Sequence, residues 1–402
     1  MLSENAIDKL MQPIIDRQEA INSYVVETIA KRVKEIGHLL PSDVYKLERL
    51  LKTGSDVKKI NKEIARLTGM NEKDIRKLIK TVAENNYYDT KPYYDYRHKS
   101  FIPFEKNIPL QFVVNAIAKQ TAETYMNLSN SKALGCILYN RRNPKKKTFK
   151  PIAKTYQDII DEAIQASQAG VIDYNTAMRR TMRQLNDSGV RRLYWESGYT
   201  QRLDTAVRRN ILDGIRQVNQ AVQDETGKQF GADGKEITVH MNPAPDHEDI
   251  QGHQLTNEEY DKLQNNEFFV DYNGRKFAPI KRAIGTLNCR HFTYSIILGV
   301  MKPNFTREQL DEIIKKNHKG YTAPDGKHMT MYECTQYQRQ LETKVRYAKD
   351  GQIMAKESGD IELAQEYQAK VTKWMKQYKA FSEACGLPAR MAKMNVEGYR
   401  KI

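Results

Sequence analysis

The 402-residue chain has only four cysteines, Cys136, Cys289, Cys334 and Cys385, and no two of them form a Cys-x-x-Cys pair. Thiols this sparse and scattered exclude a disulfide-stapled miniprotein and suit the reduced state of a cytosolic setting. The opening segment MLSENAIDKLMQP places acids where a secretory signal needs a basic segment followed by an apolar one. No run approaches the roughly 18 consecutive apolar residues of a membrane-spanning helix. Nor does a strongly amphipathic basic anchor helix stand out, so neither secretion nor a membrane location is expected. The length gives room for two or three domains, each with its own core.

Positive charge, by contrast, is in excess. Lys and Arg number 65 against 50 Asp and Glu, a formal charge of +15. That balance points to a polyanionic partner, nucleic acid before membrane. Residues 131–220 carry 17 Lys and Arg against 8 Asp and Glu, so a net +9 falls in ninety residues.

Hydrophobic periodicity predicts a mainly α chain: helical N-terminal and middle regions, a small α+β module and a C-terminal helical hairpin. The expected boundaries are 1–104 for the N-terminal helices, 105–230 for a basic helical region, 231–302 for the α+β module and 303–402 for the C-terminal helices. In the first region Ser42 caps one helix that Gly54 ends, and Asn71 caps the next. The tyrosine-rich YYDTKPYYDY (87–96) reads as a linker whose rings pack on a neighbouring helix, with base stacking as the alternative. Helices are expected over about 105–135, 153–187 and 200–226. In the last, Leu203, Val207, Ile211, Ile215, Val218 and Val222 form an apolar stripe, with Arg202, Arg209 and Arg216 on the opposite face. The module contains a short helix at NEEYDKL, a hairpin at Asn273-Gly274 and a final strand CRHFTYSIILG. Thr306 and Gln309 make a capping box. The chain closes on paired helices, about 331–356 and 360–384, joined at Ser358-Gly359.

The chemistry-bearing residues converge on this module. HMNPAPDHEDIQGHQL (240–255) holds three of the eight histidines, and Cys289 and His291 follow. In an extended strand Cys289 and His291 point to one side. His240, His247, His253, Cys289 and His291 are thus candidate ligands for a structural zinc, the only cofactor the sequence suggests. The same residues would equally serve as hydrogen-bonded braces of an irregular loop. A metal-dependent nuclease built on Asp246-His247 and Asn288-Cys289-x-His291 is a further reading, as is a Cys289–His nucleophile pair. Neither comes with an assignable base or orienting group.

His240, the run PDHEDIQG (245–252), Gly285 and NCRH (288–291), followed by an apolar strand to Gly299, resemble the signature of phage minor capsid proteins related to the Mu F-type head morphogenesis family. YECTQYQRQLETKVRYAK (332–349) and GLPAR (386–390) are similar to that family's C-terminal helices. The resemblance spans roughly 150–402, and the preceding part matches only in being helical. It implies a virion component present in few copies, made in the bacterial cytoplasm and built into the procapsid near the portal vertex. Its partners would be the portal protein, capsid or scaffolding proteins and packaged DNA, with no membrane in the mature head. The His/Cys module would be a compact scaffold without catalytic residues. A nonviral nucleic-acid-binding scaffold would share the charge pattern.

Independently of that resemblance, NRRNPKKKTFKP offers Arg141, Arg142, Lys145, Lys146, Lys147 and Lys150 around Pro144, which forbids a regular helix. Such groups neutralise phosphates without reading sequence. A solvated loop, or one docked on an acidic protein surface, fits the same residues. Arg202, Arg209 and Arg216 are further candidates for DNA contact, although a charged face is ordinary on an amphipathic helix.

Overall fold

A computed structural model describes residues 4–36, 53–130, 134–139, 147–151, 192–194, 200–286, 289 and 291–402, with Thr176, Arg179, Arg180, Met182, Arg183 and Asn186 between them. The chain opens with helices α1 (Glu4–Ile36), α2 (Thr53–Tyr88), α3 (Lys91–Tyr96) and α4 (Ile108–Asn130). Strands β1 (Leu134–Tyr139), β2 (Lys147–Pro151), β3 (Arg192–Tyr194) and β4 (Thr200–Arg202) lead into helix α5 (Leu203–Phe230). The module comprises β5 (Gly234–Ile237), β6 (Gln254–Thr256), α6 (Asn257–Gln264), β7 (Phe269–Val270), β8 (Lys276–Phe277) and β9 (Thr293–Ile296). It is followed by α7 (Arg307–Lys319), the β10 (Tyr321–Thr322) and β11 (His328–Met329) hairpin, and helices α8 (Met331–Glu357) and α9 (Ile361–Ala384).

The mainly α class with a small α+β module and a C-terminal hairpin is what the chain adopts. Three expectations need correcting. Gly54 and Asn71 do not separate two helices, because α2 runs through both. Asn71 spends its amide on the Ile14 carbonyl and the Tyr125 hydroxyl, at 3.1 and 3.0 Å, and so does not compete for its own backbone. The middle region is not purely helical either: β2-β1-β3-β4 form an antiparallel sheet in that order. Its first hairpin pairs Tyr139 with Lys147 and Gly135 with Pro151, and the proline is tolerated because β2 lies at an edge. Finally, the last strand of the module begins at Thr293, after Cys289 and His291. The helix expected from Ser42, and Arg141, Arg142, Lys145 and Lys146, lie outside the described residues, as does most of 153–187.

The chain packs as two compact units, each assembled from three separated stretches. One comprises Met1–Met11, Asp74–Glu123 and Arg209–Tyr337; the other comprises Gln12–Lys73, Thr124–Arg208 and Gln338–Ile402. In the first, Ile211, Ile215, Val218 and Val222 of the α5 stripe are buried as expected. Gly214 allows α4 to approach: a Cβ there would overlap the Thr121 side chain, and Asn210 Nδ2 donates to the Thr121 carbonyl at 2.8 Å. The other side of α5 carries the three-stranded antiparallel sheet β6-β5-β9. Strand β9 is an edge, and its outward N–H groups are satisfied from the helix. Thr293 N donates to Gln220 Oε1 at 3.2 Å and Ser295 N to Gln223 Oε1 at 3.0 Å. Beneath the sheet, Ile237, Ile250, Leu255, Leu263, Phe269, Phe277, Ile280 and Ile284 form the module's core. Of the tyrosine-rich segment, Tyr87 and Tyr94 are buried and Tyr93 packs beside them. Tyr87 stacks on Phe101 with centroids 4.8 Å apart, so packing accounts for these three rings.

In the second unit, α8 and α9 form the expected hairpin, turned at Gly359 with a φ of +83°. Asp360 caps α9 by accepting from Leu363 N at 3.0 Å and also takes the Arg179 fork at 2.7 and 3.0 Å. Leu363, Tyr367, Val371 and Tyr378 are buried, while Trp374 and Phe381 of the same stripe are half-buried. Gly214→Ala should cost about 1–3 kcal/mol of unfolding free energy by overpacking the α4–α5 contact. Urea denaturation would measure the loss, and adding Thr121→Ala should recover part of it.

Candidate functional site

The loop between β5 and β6 has two prolines, Pro243 and Pro245, and no regular period, so its backbone depends on side chains for order. Asp246 holds Arg282 through two hydrogen bonds of 2.6 and 2.7 Å, which pins the loop to the segment before Gly285. The Arg282 guanidinium beside it keeps the Asp246 carboxyl below its ordinary range, ahead of the opposing effect of burial. Glu248 reaches the other way, accepting from Asn317 Nδ2 at 2.8 Å and pairing with His318, both on α7. Thus Asp246 and Glu248 of PDHEDIQG are structural anchors.

Within this frame the loop delivers His247 to Cys289 and His291. Cys289 Sγ lies 3.3 Å from His247 Nδ1 and 3.4 Å from His291 Nδ1. All three residues are nearly sealed from solvent, with exposures of 1% for His247, 7% for Cys289 and 3% for His291. Outer partners fix both rings. His247 Nε2 meets the Arg282 carbonyl at 2.8 Å, and a carbonyl can only accept, so Nε2 carries the proton. His291 Nε2 meets Gln251 Oε1 at 3.3 Å, and that oxygen is identified by the His240 backbone N–H, which donates to it at 2.9 Å. Both Nδ1 lone pairs therefore face the sulfur.

Electrostatics follow the same geometry. Burial, reinforced by the neighbouring His240 and His247, pushes the His291 pKa down to about 2, which keeps that ring neutral. Burial also opposes the imidazolium of His247, but the Cys289 contact, the Arg282 carbonyl and Asp246 together lift its pKa. For Cys289, burial works to raise the thiol; the His247 contact and nearby backbone donors outweigh it and lower the value.

The five candidate ligands do not all converge. His247, Cys289 and His291 place their donor atoms within 4.8 Å of one another, and among the described residues they are the group that could hold a metal. His240 sits edge-on against His291 with centroids 4.4 Å apart, outside that trio. His253 faces elsewhere: Nδ1 donates to the Gln251 carbonyl at 3.0 Å, and Nε2 accepts from Arg275. Sequence reasoning missed Gln251 and the Arg282 carbonyl. Gln251 stood within PDHEDIQG, but nothing in a sequence marks one backbone carbonyl for a histidine.

The cationic candidates are also redistributed. Arg202 ends β4 and is not part of the helix; its half-buried side chain pairs with Asp350 at 3.1 Å and with Glu19 at 3.6 Å. Arg209 and Arg216 are half-buried on α5, and Arg216 packs against Gly285, where a Cβ would overlap its guanidinium. The three arginines therefore form no solvent-facing stripe, because acids and close packing already occupy Arg202 and Arg216. Lys147 and Lys150 lie in β2.

The family described as phage minor capsid protein 2 matches residues 2–383. The chain belongs to that family. It is a structural component of the phage head, and its partners are other head components. The match reaches through the N-terminal helices, which the motifs alone did not cover, and stops short of GLPAR at 386–390. No curated protein and no solved structure matches the chain. No helix among the described residues is long and apolar enough to cross a membrane.

Replacing Gln251 by Leu removes the acceptor shared by the His240 N–H and His291 Nε2–H. Stranding the buried His291 donor should cost about 1–3 kcal/mol. Chemical denaturation of Gln251→Leu beside the parent would measure it.

Proposed function

We propose that this minor capsid protein works by assembly, docking at the portal vertex and presenting cationic segments to the packaged DNA. The observation that carries the DNA contact is the concentration of charge: a net +9 over residues 131–220, including six Lys and Arg between 141 and 150. Phosphate held at high density inside a head favours such groups through counterion release, whatever the base sequence. The contact falls to Arg141, Arg142, Lys145, Lys146, Lys147 and Lys150, since Arg202 is engaged with Glu19 and Asp350.

The role has no turnover. Assembly takes place in the bacterial cytoplasm, where Cys289, Cys334 and Cys385 stay reduced; all three are buried in the fold. A hydrolase would need its base and its metal open to a phosphodiester. Here the converging His and Cys donors are sealed, and Asp246 is taken by Arg282.

Fluorescence anisotropy on duplex DNA across a salt series tests the contact. Affinity should be weak, sequence-independent and steeply reduced by salt. Replacing the six residues of 141–150 by Gln should flatten the log–log slope by up to about 5, at roughly 0.9 per phosphate contact. Arg202→Gln should lower stability and leave the slope alone. An affinity indifferent to salt would refute the DNA reading, and the absence of crosslinks to the portal in procapsids would refute the docking site. Supercoiled plasmid should stay intact with Mg²⁺ or Mn²⁺; nicking lost in His247→Ala would instead establish an enzyme.

A further inference from the structure

The His247, Cys289 and His291 trio has a shortage of protons that hydrogen bonding alone does not resolve. With both Nε2 protons committed outward, to the Arg282 carbonyl and to Gln251 Oε1, three donor atoms face one another across a sealed space. One proton serves all three, whether it sits on sulfur or on His247 Nδ1. It can bridge the sulfur to one imidazole only, and the second pair, at 3.3 or 3.4 Å, is left lone pair to lone pair. A buried acceptor without a donor is costly.

We propose that a divalent cation of the zinc class occupies this centre, bound by His247 Nδ1, His291 Nδ1 and Cys289 Sγ. The ion replaces the single proton and meets every lone pair at once. The spacing fits: zinc bonds of about 2.3 Å to sulfur and about 2.0–2.1 Å to nitrogen, at tetrahedral angles, set sulfur and nitrogen roughly 3.5 Å apart. The surroundings fit as well. A ligating histidine characteristically gives its other N–H to a carboxylate, a backbone carbonyl or water; here His247 gives its to a backbone carbonyl and His291 to the Gln251 side-chain oxygen. Three protein ligands leave the fourth tetrahedral position of the ion to a water, and the burial of all three keeps a substrate from it. The ion ties the β5–β6 loop to the segment entering β9, two stretches about forty residues apart in sequence. His253 is excluded, since its Nδ1 and Nε2 serve the Gln251 carbonyl and Arg275. The centre is separate from the cations at 141–150 and depends on neither DNA nor portal contact.

The full chain, purified under reducing conditions and stripped with a chelator, should take up one Zn²⁺ or one Co²⁺. Cobalt should give a thiolate-to-metal charge-transfer band. X-ray absorption at the zinc edge should show a single sulfur at about 2.3 Å with nitrogen neighbours. Cys289→Ser should lose the cobalt band and bind the ion at least tenfold more weakly, while His253→Ala keeps both. The absorption measurement needs no variant, so misfolding of Cys289→Ser would not leave the proposal untested. Failure to bind either ion stoichiometrically would overturn it. So would a first shell with no sulfur or more than one, or a cobalt band that persists in Cys289→Ser.

Discussion

The carboxamide oxygen of Gln251 is the constraint on which the module rests. It accepts from the His240 backbone and from the His291 ring, and so joins the loop after β5 to the segment before β9. Because Gln251 and His291 are buried, their groups have little water to fall back on, and the loop is held in one arrangement. Once the loop is closed, Asp246 finds Arg282, Glu248 finds α7, and the sulfur and two ring nitrogens come face to face. A proline-bearing loop without regular structure thus becomes as fixed as a strand.

The rest of the unit meets the same demand for satisfied polar groups. Strand β9 would be an open edge, and Gln220 and Gln223 of α5 stand in for the missing neighbour strand. Glu236, buried in β5, accepts from Gln254 Nε2 at 2.8 Å and from Asn304 N and Nδ2 at 3.0 and 2.7 Å. Thr256 and Glu259 close a capping box at α6, as Thr306 and Gln309 do at α7. Side chains bind the sheet to its helices where backbone ladders cannot reach.

Local signals were legible in the sequence where the physics is local. The α8–α9 hairpin, the α5 stripe, the capping box at Thr306 and the turn at Gly274 follow from periodicity and turn chemistry within a few residues. Asn71 misled because its cap-like side chain is committed to Ile14 and Tyr125, partners more than fifty residues away. The four-stranded sheet was hidden for the same reason, since β1 pairs with β3 across nearly sixty residues. At the site, residue type and clustering picked out all three members of the trio. Which of five candidates converge depended on Arg275, Gln251 and the Arg282 carbonyl, and spacing alone does not reveal such partners.

Interleaving also governs how the polypeptide is made. The Ser23 hydroxyl donates to the Glu397 carbonyl at 2.8 Å, a bond between residues 374 positions apart. At bacterial translation speeds of about 5–20 residues per second, the first helix leaves the ribosome tens of seconds before its final neighbours exist. Ser23 waits through that interval for its acceptor. The second unit, which draws on Gln338–Ile402, therefore completes its packing long after its first helix is made.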